Sequence, residues 1–431
     1  MSAVAVIPIW KKWLTYRVNR NTGQPELIPS LTNATLILSH DSAYAGCLAR
    51  DEFANVTKLV QPLPTVEGLK APKVGPISDS HVVYCLNALN IINKVSIGFE
   101  NCARAIDAAA EQCAFNPLVD ALSDLRWDGE SRLDTWLHRY LGAKDSNYTS
   151  AVGRWWLVSA IARALRPGCQ ADHILVLEGK QGAAKSSAVR ILGGEFTLSK
   201  LPSLRDYDRA AHALTGRWIV EIGELDAFRG AASSQIKDFL SLQVDHYHAP
   251  YGRYHVTRGR TCVFIGTTNE YQYLQDPTGA RRFWPVKIGY IHRAELVRDR
   301  DQILAEAFEA FRSGTEFADI DRPPRTRWWP GPDLETELIE EQESRQEMDA
   351  WEPIVAKWLN TPLVDGSRSI ARDGLSTADI LLGALDFKMD RCDRESQSRV
   401  GKILRKMEWN PIQKREHGLR VRRYWRPTEP E

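Results

Sequence analysis

A glycine-rich segment near the middle of the chain has the residue types and spacing of a phosphate-binding loop. It follows an apolar run at residues 174–177 and precedes a helical pattern at residues 188–192. In such a loop, successive backbone N–H groups and the positive end of the helix dipole bind phosphates. The spacing is that of GxxxxGK[ST], so the candidate cofactor-binding residues are Gly179, Lys180, Gln181, Gly182, Ala183, Ala184, Lys185, Ser186 and Ser187.

Two side chains of this loop are the candidates for direct chemistry on a nucleotide. The motif predicts that Lys185 contacts the β- and γ-phosphates of ATP and that the Ser186 hydroxyl ligates Mg²⁺. Ala184 departs from the motif, which has its second glycine at this position. If the position requires a positive φ, alanine costs about 1 kcal/mol there, which weakens nucleotide binding without abolishing it.

A cluster of carboxylates follows the next apolar run, residues 218–222. A carboxylate at the end of a strand can hold Mg²⁺ or orient the attacking water. Glu224 lies just past the apolar run and is the preferred candidate for both roles, with Glu221 and Asp226 as alternatives. A solvated acid at the end of a strand would give the same local pattern.

Two polar segments further along complete the set of catalytic candidates. Asn269 follows the apolar run 262–266 and is suited to contact the γ-phosphate, although asparagine also simply forms turns. Arg281 and Arg282 follow a turn, and one of them is the candidate arginine finger, supplied to a neighbouring subunit. A surface ion pair is the alternative for either arginine.

The elements that must position these residues indicate an α/β core. Apolar runs of strand length that alternate with helical stretches predict a parallel sheet covered on both faces. A long helical periodicity precedes this core, and an acidic helix is expected at residues 333–358. The predicted domains are an N-terminal module (1–77), a helical domain (78–166), a P-loop ATPase domain (167–320), a connector with the acidic helix (321–369) and a winged-helix-like module (370–431).

The ordered motifs resemble those of the virulence-associated protein E (VapE) family of prophages, phage satellites and related mobile elements. The resemblance covers about residues 100–315 and rests on Gly-Lys-Gln-Gly-x-x-Lys-Ser, Trp-Ile-Val-Glu-x-x-Glu-Leu-Asp, Tyr-Gly-Arg at 251–253, Phe-Ile-Gly-Thr-Thr-Asn at 264–269 and Thr-Gly-x-Arg-Arg-Phe-Trp-Pro-Val at 278–286. It implies an AAA-like ATPase similar to superfamily-three and poxvirus-type primase-helicases.

The resemblance also implies partners. It indicates a homo-oligomeric ring that acts on DNA during replication, with single-stranded DNA in the pore. Many relatives are fused to a primase, and the residues before the helical segment are too few for one, so we expect a separate primase. Family members commonly carry glycine at the position of Ala184 and arginine in the stretch of His246 and His248.

Residues 245–260 interleave aromatic and basic side chains and predict a hairpin. Aromatic faces stack on bases and arginines neutralise phosphates, which suits binding of single-stranded DNA inside a ring. The candidates are Arg253, Arg258 and Arg260; a purely structural hairpin is an equal alternative. Histidines at 246, 248 and 255 suggest metal binding only weakly, because no cysteine or fitting acidic pattern accompanies them.

The C-terminal segment concentrates positive charge. Eleven basic and three acidic residues between Arg394 and Arg426 give a local net charge of +8, which leaves −7 for the rest of the chain. Two helical patterns and a strand-like tail resemble a winged helix, with the second helix in the major groove of duplex DNA. Arg405, Arg422 and Arg423 are the candidate phosphate contacts, and a solvated basic surface is the alternative.

Composition excludes several other classes of protein. The 431 residues carry a net charge of +1 and 43% hydrophobic residues, so neither general disorder nor a global attraction to nucleic acid is expected. No apolar run has the length of a membrane span. Seven scattered cysteines without a CxxC pair indicate a reducing cytoplasm. The sequence therefore predicts an ATP-dependent, helicase-like DNA enzyme or replication initiator of a mobile element; the alternative is an ATP-gated DNA-binding switch or defence-type regulator with weak hydrolysis.

Overall fold

The computed structural model describes residues 8–228, 231–248, 255–274, 280–315, 328–330, 334–345, 349–361, 374–416 and 419–425. The chain divides into two compact units. Unit 1 contains residues 1–271 and 276–344, and unit 2 contains residues 272–275 and 345–431. Among the described helices, none is both long and apolar enough to span a bilayer.

The N-terminal part of unit 1 is a mixed module with its own core. It contains β1 Tyr16–Val18, β2 Pro25–Leu27, α1 Leu31–His40, β3 Leu48–Asp51, β4 Val56–Leu59, β5 Gly75–Pro76, α2 Asp79–Asn93, α3 Phe99–Ala110 and β6 Ala114–Phe115. β1 and β2 form a hairpin, and β5-β4-β3-β6 form a sheet. One core runs from Ala34 to Ala110. The boundary predicted at residue 77 therefore does not separate two cores.

Three helices follow, and the last of them packs directly on the central sheet. They are α4 Pro117–Ser123, α5 Trp136–Leu141 and α6 Asn147–Leu165. The indole of Trp156 on α6 donates to the carbonyl of Phe264 at 2.8 Å, and the indole of Trp218 donates to the carbonyl of Ala160 on α6, also at 2.8 Å. These helices and the sheet share one core, so the boundary predicted between residues 166 and 167 does not divide the packing either.

The central sheet confirms the predicted α/β architecture with parallel strands. It contains β7 Ile174–Glu178, β8 Thr197–Leu198, β9 Ile219–Gly223, β12 Val263–Thr268 and β13 Phe283–Lys287, in the order β13-β7-β12-β9-β8. All four pairings are parallel. The remaining elements of unit 1 are α7 Lys185–Gly193, α8 Tyr207–Ala213, α9 Ser233–Ser241, the antiparallel hairpin β10 Val244–His248 and β11 His255–Gly259, α10 Arg293–Thr315 and α11 Glu335–Glu343.

One strand of the sheet contains a proline, and one helix differs from the sequence prediction. β13 contains Pro285, which argues against a central strand, but β13 lies at the edge of the sheet, where a proline is tolerated. The acidic helix expected at residues 333–358 is two helices in different units, α11 and α12 Glu352–Asn360. Pro353 is in the first turn of α12, where its missing N–H is not needed.

Unit 2 combines the two helices and the strand-like tail predicted for the C-terminal module with one further helix, α12, and one further strand, β14. Its elements are α12, α13 Thr377–Gly383, α14 Arg394–Lys406 and the antiparallel hairpin β14 Asn410–Glu416 and β15 Leu419–Trp425. Ser376 caps α13, with its side chain accepting from the Asp379 N–H. Leu375 and Tyr424 exchange two backbone hydrogen bonds, so a third short strand segment joins the hairpin. The core combines the buried faces of the helices with Trp409 and Tyr424.

Candidate nucleotide-binding site

The glycine-rich loop lies where the motif requires it, between the end of β7 and the start of α7. Glu178 ends the strand and Lys185 begins the helix. The N–H of Gly179 donates to the carbonyl of Thr268 at 3.1 Å, which ties the start of the loop to β12. Gly182 has φ +80°, a conformation that side chains rarely adopt. The Lys185 and Ser186 N–H groups lie in the first turn of α7, where N–H groups have no carbonyl partner within the helix and are available to an anion, whereas the Ser187 N–H donates to the Ala184 carbonyl at 3.0 Å.

Ala184 occupies the conformation that its position in the motif suggested. Its φ of +62° and ψ of +24° place it in the left-handed region, directly before Lys185. A non-glycine residue pays about 1 kcal/mol there because Cβ approaches the neighbouring carbonyl oxygen. Position 184 therefore has a backbone conformation typical of glycine, although its residue is alanine.

We expect Ala184→Gly to raise the apparent affinity for ATP by about fivefold, since relief of about 1 kcal/mol corresponds to that factor. ATP titration of the hydrolysis rate measures this. Ala183→Gly is the matched control, because Ala183 is not among the residues with positive φ and should give no such gain. A clear loss of turnover in Ala184→Gly would show that the alanine is matched to its surroundings.

Lys185 is a buried cation that faces the loop. Its side chain has 7% exposure, and Nζ donates to the carbonyl oxygens of Gly179 at 2.6 Å and Lys180 at 3.1 Å. Burial lowers the pKa of Lys185, and the charge of Glu224 acts in the opposite direction. A buried ammonium held by loop carbonyls is suited to an anionic ligand at the same place.

Ser186 contacts Glu221, which is one of the two alternatives to Glu224 as the catalytic acid. Its hydroxyl donates to Oε1 of Glu221, and Thr267 on β12 donates to the same oxygen at 3.3 Å. Glu221 has 2% exposure within β9. A serine hydroxyl beside a buried carboxylate is an oxygen donor set of the type that Mg²⁺ takes. The signal available in the sequence was a carboxylate inside an apolar strand, where burial without a role is costly.

Glu224 follows the end of β9, in a strained segment of the backbone. Its φ is +47° and that of Leu225 is +51°, and both follow the last residue of β9. The N–H of Asn269 donates to Oε2 of Glu224 at 3.4 Å. Consecutive non-glycine residues with positive φ are costly and concentrate at functional sites. Asp226, the other alternative, begins the short 3₁₀ helix Asp226–Phe228 that follows.

A glycine in β12 makes this arrangement sterically possible. A Cβ on Gly266 would lie 2.8 Å from Cδ2 of Leu225. The turn that carries Glu224 therefore packs against a strand position without a side chain. The apolar run 262–266 ends in glycine because the neighbouring turn occupies the space.

Arg281 and Arg282 lie at the other end of the sheet. They precede β13, whose register pairs Phe283 with Ile174 and Lys287 with Glu178. About 13 Å of strand therefore separates them from the level of the loop. Arg282 donates to the Ser241 hydroxyl at 2.9 Å, whereas Arg281 is exposed at a cavity lined in part by His173 and Glu335. Neither arginine reaches the loop of its own chain.

Two of the three arginines predicted to bind DNA in the central hairpin have structural roles instead. Arg260 has 2% exposure, and its Nε donates to Asp245 at 3.0 Å while its guanidinium lies 4.7 Å from the ring of Phe239. Arg258 donates to the carbonyl oxygens of Glu52 and Phe53 in the N-terminal module. Their prediction as phosphate contacts is corrected, because alternation along the hairpin does not reveal which partners lie on each face.

The remaining hairpin predictions concern Arg253 and the histidines. Arg253 and the hairpin tip, residues 249–254, lie outside the described residues. His248 and His255 stack edge-to-face with their centroids 5.3 Å apart, and His246 bonds to the Thr257 hydroxyl. Within the described ranges, no group of three or more His, Cys, Asp or Glu side chains is arranged to hold a metal ion.

In unit 2, the basic residues fall into two groups. Three are paired with carboxylates outside the basic segment: Arg399 with Asp349, Lys406 with Glu352 and Arg423 with Asp379. The exposed group includes Arg394, Lys402 and Arg405 along one face of α14, and Arg422 on β15. Arg405 and Arg422 thus remain candidates for contact with phosphate, whereas Arg423 is half-buried against α13.

Comparisons with known proteins identify the family. Solved structures of the apo C-terminal region of NrS-1 are similar at 12% identity over 88% of this chain and 95% of that chain, with a TM-score of 0.42. Two further structures of that region match at 13% identity, with TM-scores of 0.37 (73% and 75% coverage) and 0.39 (72% and 74%). Similarity of this size does not establish a shared fold. No curated protein matches the chain. The model of the virulence-associated protein E-like domain matches residues 122–347, slightly more than half of the chain, and the chain therefore belongs to that family.

Proposed function

We propose that the protein is a P-loop ATPase that binds Mg-ATP at the loop of residues 179–187. The observation that carries the proposal is the arrangement at the carboxyl ends of three adjacent parallel strands. β7 leads into the loop with Lys185, β9 supplies Glu221 and Glu224, and β12 supplies Thr267 and Asn269. Ligands of open parallel sheets bind at the carboxyl ends of the strands, at the point where the connections from two neighbouring strands run in opposite directions.

Each residue then has a distinct task. The loop N–H groups and Lys185 neutralise the phosphate charge, and Ser186 with Glu221 would hold the metal ion. Glu224, fixed by the N–H of Asn269, accepts the proton of the attacking water or orients it. Bound Mg-ATP would supply the phosphoanhydride that is cleaved, and the metal charge would stabilise the negative charge that develops on the ADP leaving group. Most of the catalytic effect comes from positioning and electrostatics.

We further propose that the ATPase acts on DNA as a helicase-like motor or replication initiator of a mobile element. Arg281 or Arg282 would act as a finger in the neighbouring subunit of a ring, since both lie at the end of the sheet away from their own loop. Arg281 suits this role better, because it is exposed whereas Arg282 is held by Ser241. The enzyme would work in the cytoplasm.

A DNA-binding switch with weak hydrolysis is the second candidate. The left-handed Ala184 favours it, because strain in the loop lowers the affinity for the nucleotide. Such a protein would use ATP to assemble on DNA rather than to move along it.

ATP turnover by the purified protein, with and without DNA, separates the two functions. A motor should hydrolyse ATP faster when single-stranded DNA is present. Slow turnover that DNA leaves unchanged, together with ATP-dependent assembly by light scattering, would favour the switch. Absence of any ATP binding would overturn both.

We propose that unit 2 is a winged-helix module that binds duplex DNA. The order α12, the strand segment at Leu375, α13, α14 and the β14–β15 hairpin supports this, and so does the exposed basic face of α14. In this arrangement α14 enters the major groove and the hairpin lies along the phosphates.

For the double variant Arg405→Ala/Arg422→Ala, we expect weaker duplex binding on all sequences and a shallower dependence on salt. Loss of two phosphate contacts should reduce the log–log salt slope by about 1.8, at about 0.9 per contact. Fluorescence anisotropy at several salt concentrations measures both effects. Lys357→Ala, an exposed lysine on α12, is the matched control. An unchanged slope in the double variant would assign duplex binding elsewhere.

A further inference from the structure

The N-terminal hairpin carries exposed aromatic and basic side chains that the ATPase site does not use. Trp13 has 57% exposure and Tyr16 has 51%, and both lie between exposed lysines and arginines. Aromatic side chains of this size are normally at least half-buried, so the exposure of both within one short segment indicates a contact surface. We call the surface formed by Lys11, Lys12, Trp13, Tyr16 and Arg20 the N-terminal patch.

The patch is held rigidly on the module. The fully buried Asn33 on α1 accepts from the N–H of Thr15 at 3.0 Å, and its amide donates to the carbonyls of Thr15 at 2.8 Å and Ile28 at 2.9 Å. Side chains on both sides of the exposed tryptophan, Trp10 and Leu14, pack against the module core. A stacking surface on a fixed base loses little conformational freedom when it binds.

Trp13 of the patch belongs to a cluster of rings around one histidine. The ring of His40, the last residue of α1, lies 6.1 Å from Trp10 and 6.0 Å from Trp13, centroid to centroid. Lys11 Nζ lies 5.6 Å from the Trp10 ring centroid. Flat aromatic faces with cations beside them are the arrangement by which proteins bind unstacked bases and their phosphates together.

The charge of this segment is one-sided. Between residues 8 and 40 there are four lysines and arginines and a single carboxylate, Glu26, which pairs with Arg17 at 3.2 Å. Within the described part of the chain, Lys11, Lys12 and Arg20 have no carboxylate at salt-bridge distance. Three exposed cations beside stacking rings are complementary to a polyanion that carries bases.

We propose that the N-terminal patch binds single-stranded nucleic acid, by stacking on Trp13 and Tyr16 and by phosphate contacts with Lys11, Lys12 and Arg20. The patch is a separate site from the ATPase loop and from the basic face of unit 2. β1 is too short, and too charged at Arg17, to favour pairing with another chain. The five-residue 3₁₀ helix Ile9–Trp13 is too short to bury an apolar face in a membrane.

The full-length protein is tested without nucleotide, so the outcome does not depend on ATP hydrolysis. The probe is a fluorescein-labelled oligodeoxythymidine of about 15 nucleotides, within the range that single-strand binding surfaces cover. We expect Trp13→Ala/Tyr16→Ala to weaken binding about tenfold or more, because each stacked base contributes substantially to affinity. Lys11→Gln/Lys12→Gln should reduce the log–log salt slope by about 1.4, at about 0.7 per contact on a single strand.

Matched controls lie on the same module. Phe99→Ala removes another exposed aromatic, and Lys70→Gln/Lys73→Gln removes two exposed lysines, and neither should change the affinity or the slope. All substituted side chains are exposed, and circular dichroism melting verifies folding. An oligouridine of the same length identifies which nucleic acid the patch prefers, and either preference supports the proposal.

Binding of the oligonucleotide by both patch variants at the parental affinity and slope would overturn the proposal. Sedimentation of the parent, but not of the Lys11→Gln/Lys12→Gln variant, with phosphatidylserine vesicles under those conditions would assign the patch to a membrane surface instead. An equal loss of affinity in the control variants would show a general charge or stability effect and would also reject the patch.

Discussion

Replacement of Lys185 by alanine is expected to reduce ATP hydrolysis by about a hundredfold or more, to the background rate. Lys185 is the buried cation of the loop, and loss of one preorganised donor to a developing charge typically costs about 10² to 10³ in rate. Folding should be retained, because burial already lowers the pKa of this lysine and its removal relieves a desolvation cost. Phosphate release assays and thermal melting measure the two properties separately.

The control for this prediction is Lys200→Ala, an exposed lysine between β8 and α8. It changes the net charge by the same amount and should leave turnover as it is. Hydrolysis at the parental rate in Lys185→Ala would mean that the assigned loop is not the nucleotide site. A large drop in melting temperature would instead identify Lys185 as a structural residue.

The loop could be predicted from the sequence because all of its determinants are local. A strand, a glycine-rich loop and a helix follow each other within 20 residues, and the αL position of Ala184 follows from its place in the motif. The parallel sheet was accessible for a similar reason, since continuous apolar runs indicate strands buried on both faces.

The roles of Arg258 and Arg260 were not accessible in this way. The partner of Arg260 is Asp245, on the other strand of the hairpin, and the partners of Arg258 are carbonyls about 200 residues earlier in the chain. Basic residues that alternate along a strand look the same whether they face solvent, a buried carboxylate or another module. Only the packing of the N-terminal module against the hairpin distinguishes these cases.

The domain boundaries failed for a related physical reason. Changes of periodicity mark the ends of elements, not the ends of cores. α6 is predicted well as a helix, but the exchange of indole hydrogen bonds between α6 and the sheet makes it part of the core around the central sheet. The boundary at residue 77 lies within a core to which residues on both sides contribute.

The choice among the three carboxylates in and just after β9 depends on where each one lies relative to the strand. Side chains alternate along a strand, so Glu221 lies on one face, whereas Glu224 lies beyond the strand in a turn with positive φ. Glu221 accepts hydrogen bonds from the hydroxyls of Ser186 and Thr267. Glu224 accepts from the Asn269 N–H, and its negative charge opposes the lowering of the Lys185 pKa by burial. We therefore propose that the two acids divide the two roles for which Glu224 was the preferred candidate, with Glu221 and Asp226 as alternatives.

This division predicts different defects for two isosteric substitutions. Glu224→Gln should retain ATP binding and lose hydrolysis by about a hundredfold or more, because the amide cannot accept the proton of the attacking water. Glu221→Gln should raise the Mg²⁺ concentration needed for half-maximal turnover, because a carboxylate ligand is lost beside the Ser186 hydroxyl. Turnover is measured as a function of Mg²⁺ at saturating ATP, and binding is measured with a fluorescent ATP analogue.

Asp226→Asn provides the comparison within the same segment, because it removes the third carboxylate without touching the contacts of the other two. If Asp226→Asn, and not Glu224→Gln, abolishes hydrolysis, the water-activating acid lies in the 3₁₀ helix beyond the strained turn. If excess Mg²⁺ restores Glu224→Gln instead of Glu221→Gln, the two roles are exchanged. The strain at Glu224 and Leu225 would then serve to bring the metal ligand, rather than the base, to the end of the sheet.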